Sequence, residues 1–575
     1  MMKYRYLAGG MALFLILCTL YLWIGVNPAL YLIKGYREFY ADLFFLKRFL
    51  DFPGYPAEYL SRWLTQFYVF PLLASAGISL LLCGIYALGL GLFKGYKPYG
   101  MAFVPPALLL YMHTLYEHSI LFDLQVFGLL LFLFLFLRSF RLRPGLPLAV
   151  FPLALAAVFY LYGLIVAGVF VVAAFSGLVF RKEKGARLLV FAAEALAVWL
   201  VFRVLFALSV HDLSQEFVDA GRVYSFRYWP FVLYLSVCLL PLGGRRLERL
   251  MLPASLAALV ACICFTFNRD EKNGLSVQHY ALNEQWERVL EYAALCEYPD
   301  KDAVLYTNQA LYHTGKLCDE LFLYNQSMGS KGLLSAEISN YSEILPNQSV
   351  FLQLGALSLS IVWGTEATNV YGANPYVLKN LAKAYLAGGY TAEAKKVLNL
   401  LSRIPFQKQW VEQYQALVGD SLYQQAQAPL AVVSRQSAMA NLYLLVQDSH
   451  LNRMAYDYLL TGLLLDNRID HFAAALEQLK AYGYTSIPKL YMEGLVYHSL
   501  YAARAPINIQ EFDFDADVLY RFESFAQDLS YAQQNPTQTR EWLANKHGDT
   551  YWYYILFQSP ISEEERRDAF LRITR

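Results

Sequence analysis

Eight long apolar runs, packed into the first 267 residues of a 575-residue chain, constrain this sequence more than any other feature. They cover residues 7–33, 67–93, 100–116, 119–137, 147–180, 188–210, 228–243 and 250–267. A bilayer's hydrocarbon core is crossed by about 20 apolar residues in a helix. Lipid offers no partners to backbone N–H and C=O groups, so such runs must pair them internally as helices. Composition agrees: 57% of residues are hydrophobic and 16% are charged, against about 25% charged in soluble domains. A disordered chain, a coiled coil and an ordinary soluble enzyme are excluded. The expected fold class is all-α, a polytopic transmembrane helix bundle followed by a second α-helical domain.

Charge divides the chain at the same place. Residues 1–267 hold 22 Lys and Arg against 12 Asp and Glu, and residues 268–575 hold 25 against 34. Two domains are expected, 1–267 and 268–575. Basic clusters sit at Lys94/Lys97, Arg138/Arg141/Arg143, Arg181/Lys182/Lys184/Arg187 and Arg245/Arg246/Arg249. The positive-inside rule makes these turns cytoplasmic, so an even number of crossings separates each from the next. Residues 100–137 then form two spans turning at Glu117-His118, and 188–243 two spans turning between His211 and Arg227. As one rod, 147–180 would reach about 51 Å at 1.5 Å per residue. Lying between two cytoplasmic clusters, it is expected to fold back at Tyr162-Gly163. The first run follows Lys3 and Arg5 and is too long for a signal-peptide core. It reads as a retained span with a cytoplasmic N-terminus. The expected total is about nine spans, which places 268–575 outside the cytoplasm.

Residues 34–66 are charged and aromatic together. Phe39, Leu43, Leu46, Phe49 and Leu50 recur at helical spacing, Pro53-Gly54-Tyr55-Pro56 interrupts them, and Tyr59, Leu60, Trp63, Leu64 and Phe67 form a second stripe. This predicts two amphipathic helices lying in the outer interface, and their simplest role is an aromatic belt that anchors the bundle. Glu38 and Asp42 are four residues apart, so on a helix they share a face. At the outer surface such carboxylates could serve as general base toward a substrate hydroxyl, or hold a divalent cation. These two are the candidate catalytic residues.

In layout the first 270 or so residues resemble the membrane-embedded glycosyltransferases of the GT-C class, which take sugars from polyprenyl-phosphate carriers at the outer leaflet. The shared points are a first span, a long outer loop of two interfacial helices with an acidic residue near its start, many further spans and an extracytoplasmic C-terminal domain. The first loop has no DD or DE pair, and the chain has no WWDYG string. The resemblance implies transfer of a sugar or glycan from a lipid carrier to an envelope acceptor.

Ionisable residues inside spans are costly and point to function. Glu194 and Arg203 lie within 188–210. Glu194 is two turns from Arg187 and is expected to pair with it. Arg203, with Arg222 and Arg227 of the following loop, could hold a lipid phosphate, because the guanidinium fork donates bidentate hydrogen bonds. Headgroup anchoring is the plainer role for the same residues. His113, Glu117, His118 and Asp123 gather at another short outer turn. His113 and Glu117 share an i,i+4 relation, but a metal needs three or four converging ligands. Polar residues ending two short spans are the simpler account, and no metal site is assigned.

From Asn268 the chain reads as helix pairs. Residues 375–405 are the clearest: Ala382, Tyr385, Gly389 and Ala394 fall at tetratricopeptide offsets, and Pro405 closes the unit. The pairs are unevenly spaced, so the expectation is tetratricopeptide-like hairpins and not a regular array. Stacked hairpins offer a concave surface to peptides or proteins. Cys296 and Cys318 could bridge outside the cytoplasm or stay free. Nucleic acid is excluded as a partner, because phosphate binding needs a basic face and this half is acidic.

The stretches PGYPAEYLSRWLTQFYVFP at 53–71, AYDYLLTGLLL at 455–465, SIPKLYMEG at 486–494 and TYWYYILF at 550–557 resemble an uncharacterised family of polytopic inner-membrane proteins from Bacteroides-type bacteria. That resemblance implies a bacterial inner membrane and a periplasmic second half. Two functions stay open: a GT-C-like enzyme, or a membrane-anchored scaffold that recruits periplasmic partners to an envelope assembly or export complex.

Overall fold

The computed structural model describes residues 2–92, 99–143, 145–180, 185–206, 245–335, 343–421, 423, 438–447, 451–500, 515–534 and 540–574. The described residues are all-α, with no β-strand. The chain separates into two compact units, Met1–Phe267 and Asn268–Arg575.

The first unit begins with α1 (Met2–Leu20), prolonged by a π-helical turn at Tyr21–Val26. Asn27 ends it with φ 61°, and its side chain accepts from the Ala29 N–H at 3.3 Å. A 3₁₀ turn at Pro28–Leu30 and one helical turn at Tyr31–Gly35 follow. Residues 36–42 are not helical. Then come α2 (Leu43–Leu50) and α3 (Tyr55–Gln66). Seven apolar helices complete the unit: α4 (Pro71–Leu92), α5 (Tyr99–Met112), α6 (Ile120–Ser139), α7 (Leu146–Tyr162), α8 (Leu164–Phe180), α9 (Gly185–Leu205) and α10 (Arg245–Thr266).

Nine spans are not clearly present. Among the described residues, four helices are long and apolar enough to cross a bilayer, namely Gly9–Val26, α4, α6 and α9, or up to five if Leu252–Thr266 and the helix after it count as one bent span. Helices α5, α7 and α8 are shorter, at 14, 17 and 17 residues. The run 228–243, with Arg222 and Arg227 before it, lies outside the described residues.

The run 147–180 folds back on itself. Gly163, at φ 88°, separates α7 from α8. Phe151 lies 6.4 Å from Phe175 and 6.0 Å from Phe170, measured between ring centroids. Residues on either side of Gly163 therefore face each other, as in a hairpin. The tip of this hairpin receives the junction between α2 and α3. The Gly54 N–H donates to the Tyr160 carbonyl at 2.8 Å, and a Cβ on Gly54 would lie 3.3 Å from the Gly163 Cα. Glycine at both positions permits positive φ and this close approach.

Contacts sort the helix ends into two layers. One layer joins Val26, Tyr31, Tyr68, His113 and Tyr116. The same end carries Leu50, Gly54 and Tyr160, since α3 packs on both α6 and α7. Toward the other end, Phe14 meets Tyr86 and Phe103, and Phe140 meets Phe191. Arg138 and Arg141 adjoin Phe140, away from the layer that holds α2 and α3.

The second unit stacks helical hairpins. α11 (Arg269–Leu282) pairs with α12 (Trp286–Ala293), and α13 (Lys301–His313) follows. α14 (Ile344–Gln353) pairs with α15 (Leu357–Tyr371), and α16 (Pro375–Ala387) with α17 (Thr391–Ser402). Buried amides join neighbours: Gln309 donates to the Pro346 carbonyl at 3.3 Å, and Gln348 to that of Val377 at 3.1 Å. Ala382 and Ala394 are fully buried where α16 meets α17. Beyond α18 (Lys408–Gln415), α19 (Arg453–Leu465) is buried on every side from Met454 onward. α20 (Lys489–Ser499) and α21 (Tyr551–Phe557) pack together. The aromatic segment lies inside the unit: the Tyr551 and Tyr554 hydroxyls donate to the Leu464 and Leu465 carbonyls at 3.0 and 2.9 Å. Those carbonyls belong to the last turn of α19, where i+4 donors run out; that of Leu464 also accepts from the Asn467 N–H at 3.0 Å.

Candidate functional site

The polar layer at the α2–α3 end of the first unit has two parts. The first is the loop carrying the sequence-predicted carboxylates. Asp42 is the N-cap of α2: its backbone is extended, and its Oδ1 accepts from the Phe45 N–H at 2.7 Å. Such a cap contributes about 1 kcal/mol. Because the helix starts only at Leu43, Glu38 and Asp42 do not share a helical face as expected; Glu38 stands in the non-helical segment. Arg62 holds that segment, donating to the Glu38 carbonyl at 3.1 Å while its guanidinium lies over the Phe49 ring. Glu58 accepts from Arg62 at 2.7 Å and from Arg37 at 3.2 Å. Phe39, Phe45 and Phe49 form a small aromatic core with Tyr59, while Leu43 and Phe44 are largely exposed. An outward apolar face beside charged groups suits a helix lying in an interface.

The second part is a buried cluster that the sequence reading named without assigning. α5 ends at Met112, so His113 and Glu117 are not on one helix, and Glu117 points to the surface. Ser119 caps α6 and places Asp123 in its first turn. His113 Nε2 lies 2.8 Å from Asp123 Oδ2, and His118 Nε2 lies 3.1 Å from Asp123 Oδ1. All three residues are buried, Asp123 at 0% exposure. The Tyr31 hydroxyl donates to the His113 carbonyl and also lies 3.3 Å from His113 Nδ1. Tyr116 donates to the Val26 carbonyl at 2.8 Å, which ties the cluster to the end of the first helix. The three potential ligand atoms lie within 4.8 Å of one another.

A family model described as a family of unknown function, DUF6057, matches residues 3–558. The chain belongs to DUF6057. The DUF6057 match runs through both compact units, so the apolar helices and the hairpin unit are parts of one family architecture. No curated protein and no solved structure matches the chain.

Arg203 stands near the end of α9 whose Phe202 and Phe206 meet Phe159 and Tyr160. Arg203 is exposed on α9 with its guanidinium over the Trp199 ring at 5.4 Å. Arg222 and Arg227 lie outside the described residues. Glu194 Oε2 is buried and has no hydrogen-bond partner among the described residues. Cys296 and Cys318 are both free thiols; burial pushes the Cys296 thiol up to about 12, which removes thiolate reactivity at neutral pH.

Arg37, Glu58 and Arg62 escaped the sequence reading. The i,i+4 spacing of Glu58 and Arg62 was the available signal. A third polar group lies in the second unit. Lys383 pairs with Glu284 at 2.5 Å and sits over the Tyr414 ring, and Lys379 sits over Trp410. Burial, with Lys383 adding to it, lowers Lys379 to about 8.

Proposed function

We propose that this protein is a GT-C-like enzyme of a bacterial inner membrane. It transfers a sugar or glycan from a polyprenyl-phosphate carrier to an envelope acceptor at the outer leaflet. About nine spans carry the site, the N-terminus is cytoplasmic, and the tetratricopeptide-like second half is periplasmic. The observation that carries the reading is the arrangement around α2 and α3. An interfacial helix pair follows the first apolar helix, begins at Asp42, and shares one end of the bundle with a buried polar cluster. Asp42, helped by Glu38, takes the proton of the acceptor hydroxyl as its oxygen attacks the anomeric carbon. The bond from that carbon to the carrier phosphate breaks, and Arg203, Arg222 and Arg227 receive the phosphate anion. A divalent cation held by the same carboxylates is the alternative to direct base catalysis.

The cap makes the test clean, because Asn is as good an N-cap as Asp. Asp42→Asn should leave the protein folded and membrane-inserted yet lower transfer by about 10²-fold or more. The readout is the envelope glycan profile of a deletion strain complemented with the variant, and an unchanged profile overturns the assignment.

A second reading, the non-enzymatic scaffold, is favoured by the cation–aromatic cluster of Glu284, Lys379, Lys383, Trp410 and Tyr414. Such clusters suit recognition of a partner peptide. On that reading Trp410→Ala removes co-purifying envelope proteins and Asp42→Asn does not.

A further inference from the structure

We propose that His113, His118 and Asp123 bind one zinc ion. The Tyr31 hydroxyl donates to the His113 carbonyl and lies 3.3 Å from His113 Nδ1. With hydrogen on Nδ1, His113 turns the lone pair of Nε2 toward an Asp123 carboxylate oxygen 2.8 Å away, and a cation fits between the two. His118 Nε2 stands 3.1 Å from the other carboxylate oxygen.

The donor set suits zinc. Two imidazole nitrogens and one carboxylate oxygen are the ligand types of three-coordinate protein sites that keep a fourth position for water or substrate. Zinc–ligand bonds of about 2.0–2.2 Å in a tetrahedron separate the ligand atoms by about 3.3 Å. The three ligand atoms lie within 4.8 Å of one another, so shifts of about an ångström bring them to that spacing. Tyr31 fixes the His113 ring from its far nitrogen, as partners of ligating histidines commonly do. The ligands come from the turn after α5 and the first turn of α6, whose helices both pack on α4. The proposal does not rest on the transferase reading.

Zinc content measured by mass spectrometry on full-length, detergent-purified protein from zinc-supplemented cells tests it. About one zinc per chain is expected, falling below one tenth in His118→Gln and unchanged in Glu117→Gln. Cobalt(II) added to metal-stripped wild-type protein needs no variant: the visible bands of a four-coordinate nitrogen–oxygen site are expected. Wild-type protein that carries under one tenth of a zinc, and gives no such bands with cobalt, holds a histidine–aspartate hydrogen-bond network only and overturns the proposal.

Discussion

The two units handle buried polarity in opposite ways. In the first, the buried charged or imidazole side chains among the described residues are His113, His118 and Asp123, all in one cluster. Its other buried polar groups mostly return to their own helix: Ser75 donates to the Pro71 carbonyl and Gln66 to that of Arg62. In the second, buried polar side chains run from Ser276 to Ser559, and many join one helix to the next. Asn308 and Gln326 exchange two hydrogen bonds, and Gln348 reaches the Val377 carbonyl. The exteriors differ in the same sense, with Leu189, Val204 and Leu205 of α9 each at least 70% exposed. A bundle facing lipid has little to gain from polar stitching, because an amide that loses its partner there finds no water. Stacked hairpins bathed in water use the same amides to set which helix follows which. Polarity concentrated at one end of the first unit is therefore the exception there.

The strongest way to break this contrast is Asp123→Ala. It leaves two buried imidazoles without their shared carboxylate and should cost about 1–3 kcal/mol for each ring left unpaired, seen as a lowered unfolding midpoint in detergent. A loss under about 1 kcal/mol would mean the cluster is solvated and the contrast is overdrawn.

Next is Glu493, one of the second unit's buried carboxylates. Its Oε2 accepts from the Tyr551 N–H at 2.8 Å while its Oε1 makes no hydrogen bond. Burial pushes its carboxyl from 4.5 up to about 7, with Asp549 adding to the rise while the Tyr551 N–H, Lys489 and Arg521 oppose it. The folded state thus binds the proton more tightly than the unfolded one. Its contribution is complete below the unfolded value and is lost as pH rises through the folded one. Wild-type protein should lose roughly 2–3 kcal/mol between about pH 5 and 8, read by hydrogen exchange in residues 489–499 and 551–557. In Glu493→Gln that pH slope should vanish; a slope that persists would assign it to another group.

Asn308→Ala sharpens the comparison at smaller scale. It strips Gln326 and the Gly332 carbonyl of a partner and should cost about 1–3 kcal/mol in thermal unfolding. Wild-type stability in this variant would show that the amides follow the stacking without setting it.

Much of the first unit was legible because membrane helices obey a simple code. The Gly163 reversal followed from two basic clusters flanking a run too long for one span, and the α2–α3 break followed from Pro53-Gly54. The helical register of the first loop was not legible. Phe39 and Leu43 match helical spacing, yet the Asp42 cap delays the helix by several residues, and capping depends on a backbone conformation that spacing does not reveal. The His113–Asp123 cluster was half legible. Its residues stood together in the sequence, but pairing His113 with Glu117 presumed a helix that stops at Met112.

Residue order alone set the all-helical class, the apolar first half and the change in charge near residue 267, because each depends on local composition and on how lipid and water treat a side chain. Which groups meet was decided elsewhere. Tyr31 reaches His113 across 82 positions, Gly54 reaches Tyr160, and Lys383 reaches Glu284. Contacts of that range depend on how whole helices pack, and packing answers to the combined shape of many side chains that no short window of sequence contains.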